Sequence, residues 1–154
     1  MRLSKNFSLE EFLVSQTATR HGIDMTPSDY IIHNLQELCT TCLQPLRDEV
    51  RAGIYISSGF RPVELNGRIG GSKTSAHVKG QASDLKVTGQ TPFETAILIV
   101  EMKLPFDQVI MEFGAWVHLG IADILRGEQL TAYKDDGKTV YTHGIHTIAS
   151  LTGG

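Results

Sequence analysis

The first fifty residues carry apolar positions at helical spacing. Ser8 with Glu11 forms a capping box, in which each side chain satisfies a free backbone N–H of a first helical turn, and Phe7 and Phe12 flank it. This predicts a helix from about Ser8 to Arg20, stopped by Gly22. A second start follows, with Thr26 as cap and Pro27 at the first helical position. Ile31, Leu35, Leu38, Cys42 and Leu46 then recur on one helical face, and Pro45 predicts a kink or an early end.

After Arg51 the period changes. Ile54–Ser57 is short and β-prone, and 61–68 reads as a short helix ended by Gly70-Gly71. Residues 81–87 alternate, with Ala82, Asp84 and Lys86 on one face. Thr91-Pro92-Phe93-Glu94 starts a helix running to about Lys103. Segments 107–113 and 115–121 read as strands around Gly114; 129–133 and 138–142 read as a hairpin around Asp136-Gly137. Helices first and mostly antiparallel strands later predict an α+β fold, a small sheet with helices packed on one side. The 154 residues suit one domain, with 1–50 a helical packing segment and 51–154 the core that carries the candidate chemistry.

Composition narrows the function. The formal charge is −3 and the Lys and Arg residues are scattered, so nucleic acid is not expected as a partner. No apolar run approaches the ~20 residues that span a bilayer, so no membrane role is expected. The amino-terminal stretch has two early positive charges with no apolar segment behind them, unlike a secretory signal. A protein made in the cytoplasm is expected, and a monomer. Cys39 and Cys42 form a lone CTTC inside a helical pattern, which fits core cysteines better than a metal or redox pair. His143 and His146 fit exposed hairpin positions.

The chemistry concentrates between residues 58 and 118. His77 and Asp84 lie seven positions apart with Gly80 between them to allow a sharp turn, and His118 stands on a later strand between Val117 and Leu119. Two imidazoles and a carboxylate suit a divalent metal with one position left for water. The order SGFRP, LN, SAHVKGQASD, FDQVIMEFGAWVH resembles the zinc D-Ala-D-Ala carboxypeptidase family. That family includes phage wall-degrading peptidases and the vancomycin-resistance dipeptidases, and its metal fold is shared with the amino-terminal domain of hedgehog proteins. The resemblance implies Zn²⁺ held by His77, Asp84 and His118. It makes Arg61 the group that meets the substrate carboxylate or the attacked carbonyl, and Ser75 a contact beside the first ligand. Asn66, Gly71 and Gly80 match as loop-shaping positions.

A zinc peptidase also needs a carboxylate to move protons. Glu112, six residues before His118, matches the hedgehog-like branch; Asp107 is the competing carboxylate. The dipeptidase branch places its glutamate three before the last histidine, where this chain has Ala115. A second family histidine is replaced by Trp116, which would line the pocket. The resemblance implies peptidoglycan stem peptides as substrate, and an endolysin that reaches the wall through a holin pore. The alternatives are a non-catalytic zinc-stabilised binding module and a cytoplasmic D-Ala-D-Ala dipeptidase.

Overall fold

The computed structural model describes residues 1–153. Eight strands and six helices follow in the order β1 (Arg2–Ser4), β2 (Phe7–Ser8), α1 (Gln16–His21), α2 (Asp29–Leu38), α3 (Gln44–Val50), β3 (Ile54–Ser58), α4 (Val63–Arg68), β4 (Ala82–Val87), α5 (Pro92–Glu101), β5 (Gln108–Glu112), β6 (Trp116–Gly120), β7 (Glu128–Asp135), β8 (Lys138–His143) and α6 (Ile148–Thr152). The main sheet runs β3-β4-β6-β5-β7-β8. Every neighbouring pair is antiparallel except β5 with β7. The expected α+β fold with a mostly antiparallel sheet is present.

One face of the sheet is the core. Ile56, Leu85, Val109, Met111, Val117 and Leu119 are buried there, against Leu35 and Leu38 of α2, Leu46 of α3 and Ile99 of α5. The other face carries Asp84, Gln108, Glu112 and His118 of the same strands, as the period of two allows. No helix among the described residues is long and apolar enough to cross a membrane.

The amino-terminal expectation needs correction. The Ser8–Glu11 capping box is present, but it opens only a 3-10 turn over Leu9–Phe12. Phe7 and Phe12 are both almost wholly buried, so the chain turns inward and a new helix, α1, begins at the cap Ser15. Gly22 ends it in the left-handed conformation, as expected. The second helix is capped by Ser28, two residues beyond Thr26. The amide of Thr26 instead bonds the Asp24 carboxylate in a local turn.

The helical run does not end at Pro45. Cys39–Leu43 form a π-helical turn, and α3 continues with Pro45 in its first turn. The wider turn absorbs the hydrogen bond that proline cannot donate. Cys39 and Cys42 lie inside that turn, buried and free. Burial pushes their thiols up to about 12 and about 11, so they stay protonated and inert.

Candidate metal centre and cleft

Three strands and one turn meet on the open face of the sheet. Asp84 of β4 stands directly opposite His118 of β6, which stands opposite Ile110 of β5. His77 comes from a 3-10 turn over Ala76–Lys79. Ser75 caps this turn, its hydroxyl accepting the His77 amide at 3.3 Å. Gly80 ends it with φ +69°, where a Cβ would sit 2.9 Å from Ile31 Cγ2 and 3.0 Å from the Ile31 carbonyl. Asn34 Nδ2 donates to the Lys79 carbonyl at 2.9 Å, tying the turn to α2.

The orientation of His77 follows from one hydrogen bond. Its Nδ1 lies 2.7 Å from the Gly59 carbonyl, which can only accept, so Nδ1 carries the proton. Nε2 is therefore a bare lone pair, buried and without a hydrogen-bond partner. It faces Asp84 Oδ1 at 3.3 Å, and His118 Nδ1 faces the same oxygen at 3.3 Å. A buried lone pair turned onto a carboxylate calls for a cation between them. Ligand atoms bound tetrahedrally at about 2.0–2.1 Å stand about 3.3–3.4 Å apart. One candidate ligand atom from each of the three residues lies within 4.8 Å of the other two. Donor chemistry and spacing both fit a divalent metal.

The electrostatics agree. Burial lowers the His77 pKa, which favours the neutral imidazole that binds metals. Burial alone would raise Asp84, but the facing rings of His118 and His77 outweigh it and hold the carboxyl well below its ordinary range.

Around this cluster lies a cleft of about 710 Å³. Arg61, Ser75, Glu112 and Trp116 all line it with the three candidate ligands. Arg61 is fixed by its backbone, whose N–H donates to the His77 carbonyl at 3.0 Å. Its Nη2 reaches Ser75 Oγ at 3.5 Å, and its Nε is buried without a partner. Among the described residues Arg61 makes no salt bridge. Burial pulls its pKa down, while Asp84 and Glu112 favour its charge. A guanidinium held this way is ready for a bidentate anion.

Glu112 ends β5 opposite Trp116, on the face that carries His118. Burial, helped by the Asp84 charge, lifts its pKa to about 7, against the pull of His118 and Arg61. Asp107 is differently placed. Its carboxylate accepts from Arg126 Nη2 at 2.8 Å and from Arg126 Nε and backbone N–H, and these bonds lower its pKa. Asn66 shapes the loop before Ser75, its Nδ2 donating to the Ser72 carbonyl at 2.8 Å. His143 and His146 take no part, since His146 Nε2 donates to the His143 carbonyl at 2.8 Å.

The structure also brings in residues that spacing did not indicate. Gln108, Arg126, Leu130 and Tyr141 line the far side of the cleft. The alternation of 128–135 and 138–143 could have placed Leu130 and Tyr141 on one face, but only the parallel β5–β7 pairing sets that face beside Glu112.

Comparison with curated proteins gives no match. The family model described as Peptidase M15 matches residues 5–120, a segment that ends at the last residue of β6 and contains every one of the candidate metal ligands together with Arg61 and Glu112. With most of its length matched and a His-Asp-His group able to hold a metal, the chain belongs to the peptidase M15 family of metallopeptidases.

Proposed function

We propose that the protein is a zinc-dependent peptidase that hydrolyses bonds in the stem peptide of peptidoglycan, as a D,D-carboxypeptidase or endopeptidase of a cell-wall-degrading endolysin. The observation that carries this reading is the buried lone pair of His77 Nε2, 3.3 Å from the carboxylate oxygen that His118 also faces. His77, Asp84 and His118 would hold the zinc. When bound, the ion acidifies water and polarises a carbonyl.

The chain's own groups supply the rest. Glu112, with its pKa near neutrality, takes the proton of the attacking water and passes it to the leaving amine. Asp107 is committed to Arg126 and held ionised well below neutrality, which favours Glu112 for this work. Arg61 pairs with a substrate carboxylate or with the oxyanion that develops on the attacked carbonyl. A terminal D-alanine presents such a carboxylate. Ser75 steadies the guanidinium, and the indole N–H of Trp116, buried without a partner, offers a donor to a peptide carbonyl.

The test is digestion of purified peptidoglycan with zinc-loaded and chelator-treated protein, read by mass spectrometry. Release of D-alanine or of new stem fragments that stops with chelator and returns with zinc supports the reading and names the bond. Folded, zinc-loaded protein that leaves the wall intact overturns it and favours a zinc-stabilised binding module or a free-dipeptide substrate.

A further inference from the structure

The family segment ends at residue 120, and the chain then continues into the hairpin β7–β8 on the edge of the same sheet. Register places Trp116, Glu112, Ala132 and Tyr141 opposite one another in turn, on four neighbouring strands. They form one row across the open face. Ala132, the shortest of the four, lies between Glu112 and Tyr141 and is fully buried beneath its neighbours. The two aromatic residues are three strands apart, roughly 14 Å between Cα atoms at the usual strand spacing. Once the thickness of the two rings is subtracted, that leaves room for one extended peptide. The polar end of the Trp116 ring is buried without a partner, and both rings line the cleft.

We propose that Tyr141 is a substrate-contacting residue, whose ring forms the far wall of a peptide groove with Trp116 as the near wall and Glu112 between them. The assignment rests on the peptidase reading above. It places Tyr141 in substrate affinity, not in bond cleavage. The candidate metal ligands on the sheet are carried by β4 and β6, to one side of β5, and Tyr141 stands two strands away on the other side. Burial and the Glu112 charge raise the phenol's pKa, so the ring meets the peptide uncharged.

The chain has one tryptophan, and it is Trp116, so its fluorescence reports occupancy of the groove directly. The probe is the synthetic stem peptide L-Ala-D-Glu-L-Lys-D-Ala-D-Ala, titrated into zinc-loaded protein carrying Glu112→Gln to prevent turnover. Tyr141→Ala should weaken binding roughly tenfold, and Tyr141→Phe should stay within about twofold of the parent. Tyr141→Thr, whose β-branched side chain suits an edge strand, should match the alanine variant and guards against a loss of folding. In the active background the same changes should raise KM and leave kcat within about threefold. Unchanged affinity in folded Ala and Thr variants, beside a parent that binds, overturns the assignment and leaves the peptidase reading standing. A Phe variant as weak as Ala overturns the ring wall in favour of the hydroxyl. A Tyr141-bearing protein that neither binds nor cleaves the pentapeptide removes the peptidase reading, and the groove assignment with it.

Discussion

Replacing Glu112 with Gln should stop catalysis and stabilise the metal-free protein in one step. The carboxyl titrates at about 7 in the fold against an ordinary value of 4.5, chiefly because it is buried. At about 1.36 kcal/mol per tenfold change in proton affinity, ionising it in the folded chain costs about 3 kcal/mol. The sign follows from linkage. Below pH 4.5 the group is neutral in both folded and unfolded chains and costs nothing. Between 4.5 and about 7 the unfolded chain ionises first, so stability falls as pH rises. Above 7 the full cost is present. A glutamine keeps the shape and never pays this penalty. Chelator-treated Glu112→Gln protein should therefore exceed the parent by about 3 kcal/mol at pH 8 and by under about 1 kcal/mol at pH 5. For a chain of this length that is about 6–12 °C in Tm at pH 8. Urea or thermal unfolding at the two pH values measures it. Zinc loading should shrink the gain, since a neighbouring cation stabilises the carboxylate. Peptide hydrolysis should fall at least about a hundredfold. Equal stability of variant and parent at pH 8, both metal-free, would refute the account of Glu112 as a desolvated base.

Three further outcomes are expected. Gly59→Ala places a Cβ 2.6 Å from Phe12 Cα and 2.7 Å from the Phe12 carbonyl, both backbone; it should cost about 1–3 kcal/mol in urea unfolding. Because Gly59 also accepts the His77 Nδ1 proton, zinc affinity measured by competition with a chromophoric chelator should drop with it. Asp84→Asn removes the negative charge of the carboxylate that both histidines face, and zinc affinity should fall at least about a hundredfold, read by metal analysis after dialysis. Arg61→Lys keeps a charge but loses the planar fork; kcat/KM on a peptide with a free carboxylate should fall about thirtyfold, for about 2 kcal/mol, with unfolding unchanged. An unaltered kcat/KM for that variant would remove Arg61 from substrate binding.

The sequence revealed the elements that local chemistry decides. The caps at Thr91 and Gly22, the hairpin at Asp136-Gly137 and the strands at 54, 82, 108 and 116 need no distant partner to be read. Asp136 and Gly137 both take positive φ, as a tight two-residue turn demands. Where burial decides, local signals mislead. The capping box at Ser8 marks where a turn begins, and the burial of Phe7 and Phe12 decides how soon it ends. The short strands β1 and β2 and the terminal helix α6 are too brief to leave a period. The site divides in the same way. His77, Asp84 and His118 sit in one motif order, and antiparallel neighbours in the sheet bring the last two together. Tyr141 and Leu130 enter the cleft through a strand order that no spacing encodes.

That strand order has an evolutionary consequence. Because β6 is inserted between β4 and β5, the chain can reach the far side of β5 only by crossing past residue 120, where the family segment stops. The proposed reaction chemistry and the proposed selectivity wall therefore occupy consecutive stretches of chain with one junction. Changes after that junction can remodel what the cleft accepts while the ligand geometry before it is inherited intact. Replacing residues 121–153 as a unit is the graft this architecture invites, because it would alter the proposed substrate wall and leave the candidate metal ligands unchanged.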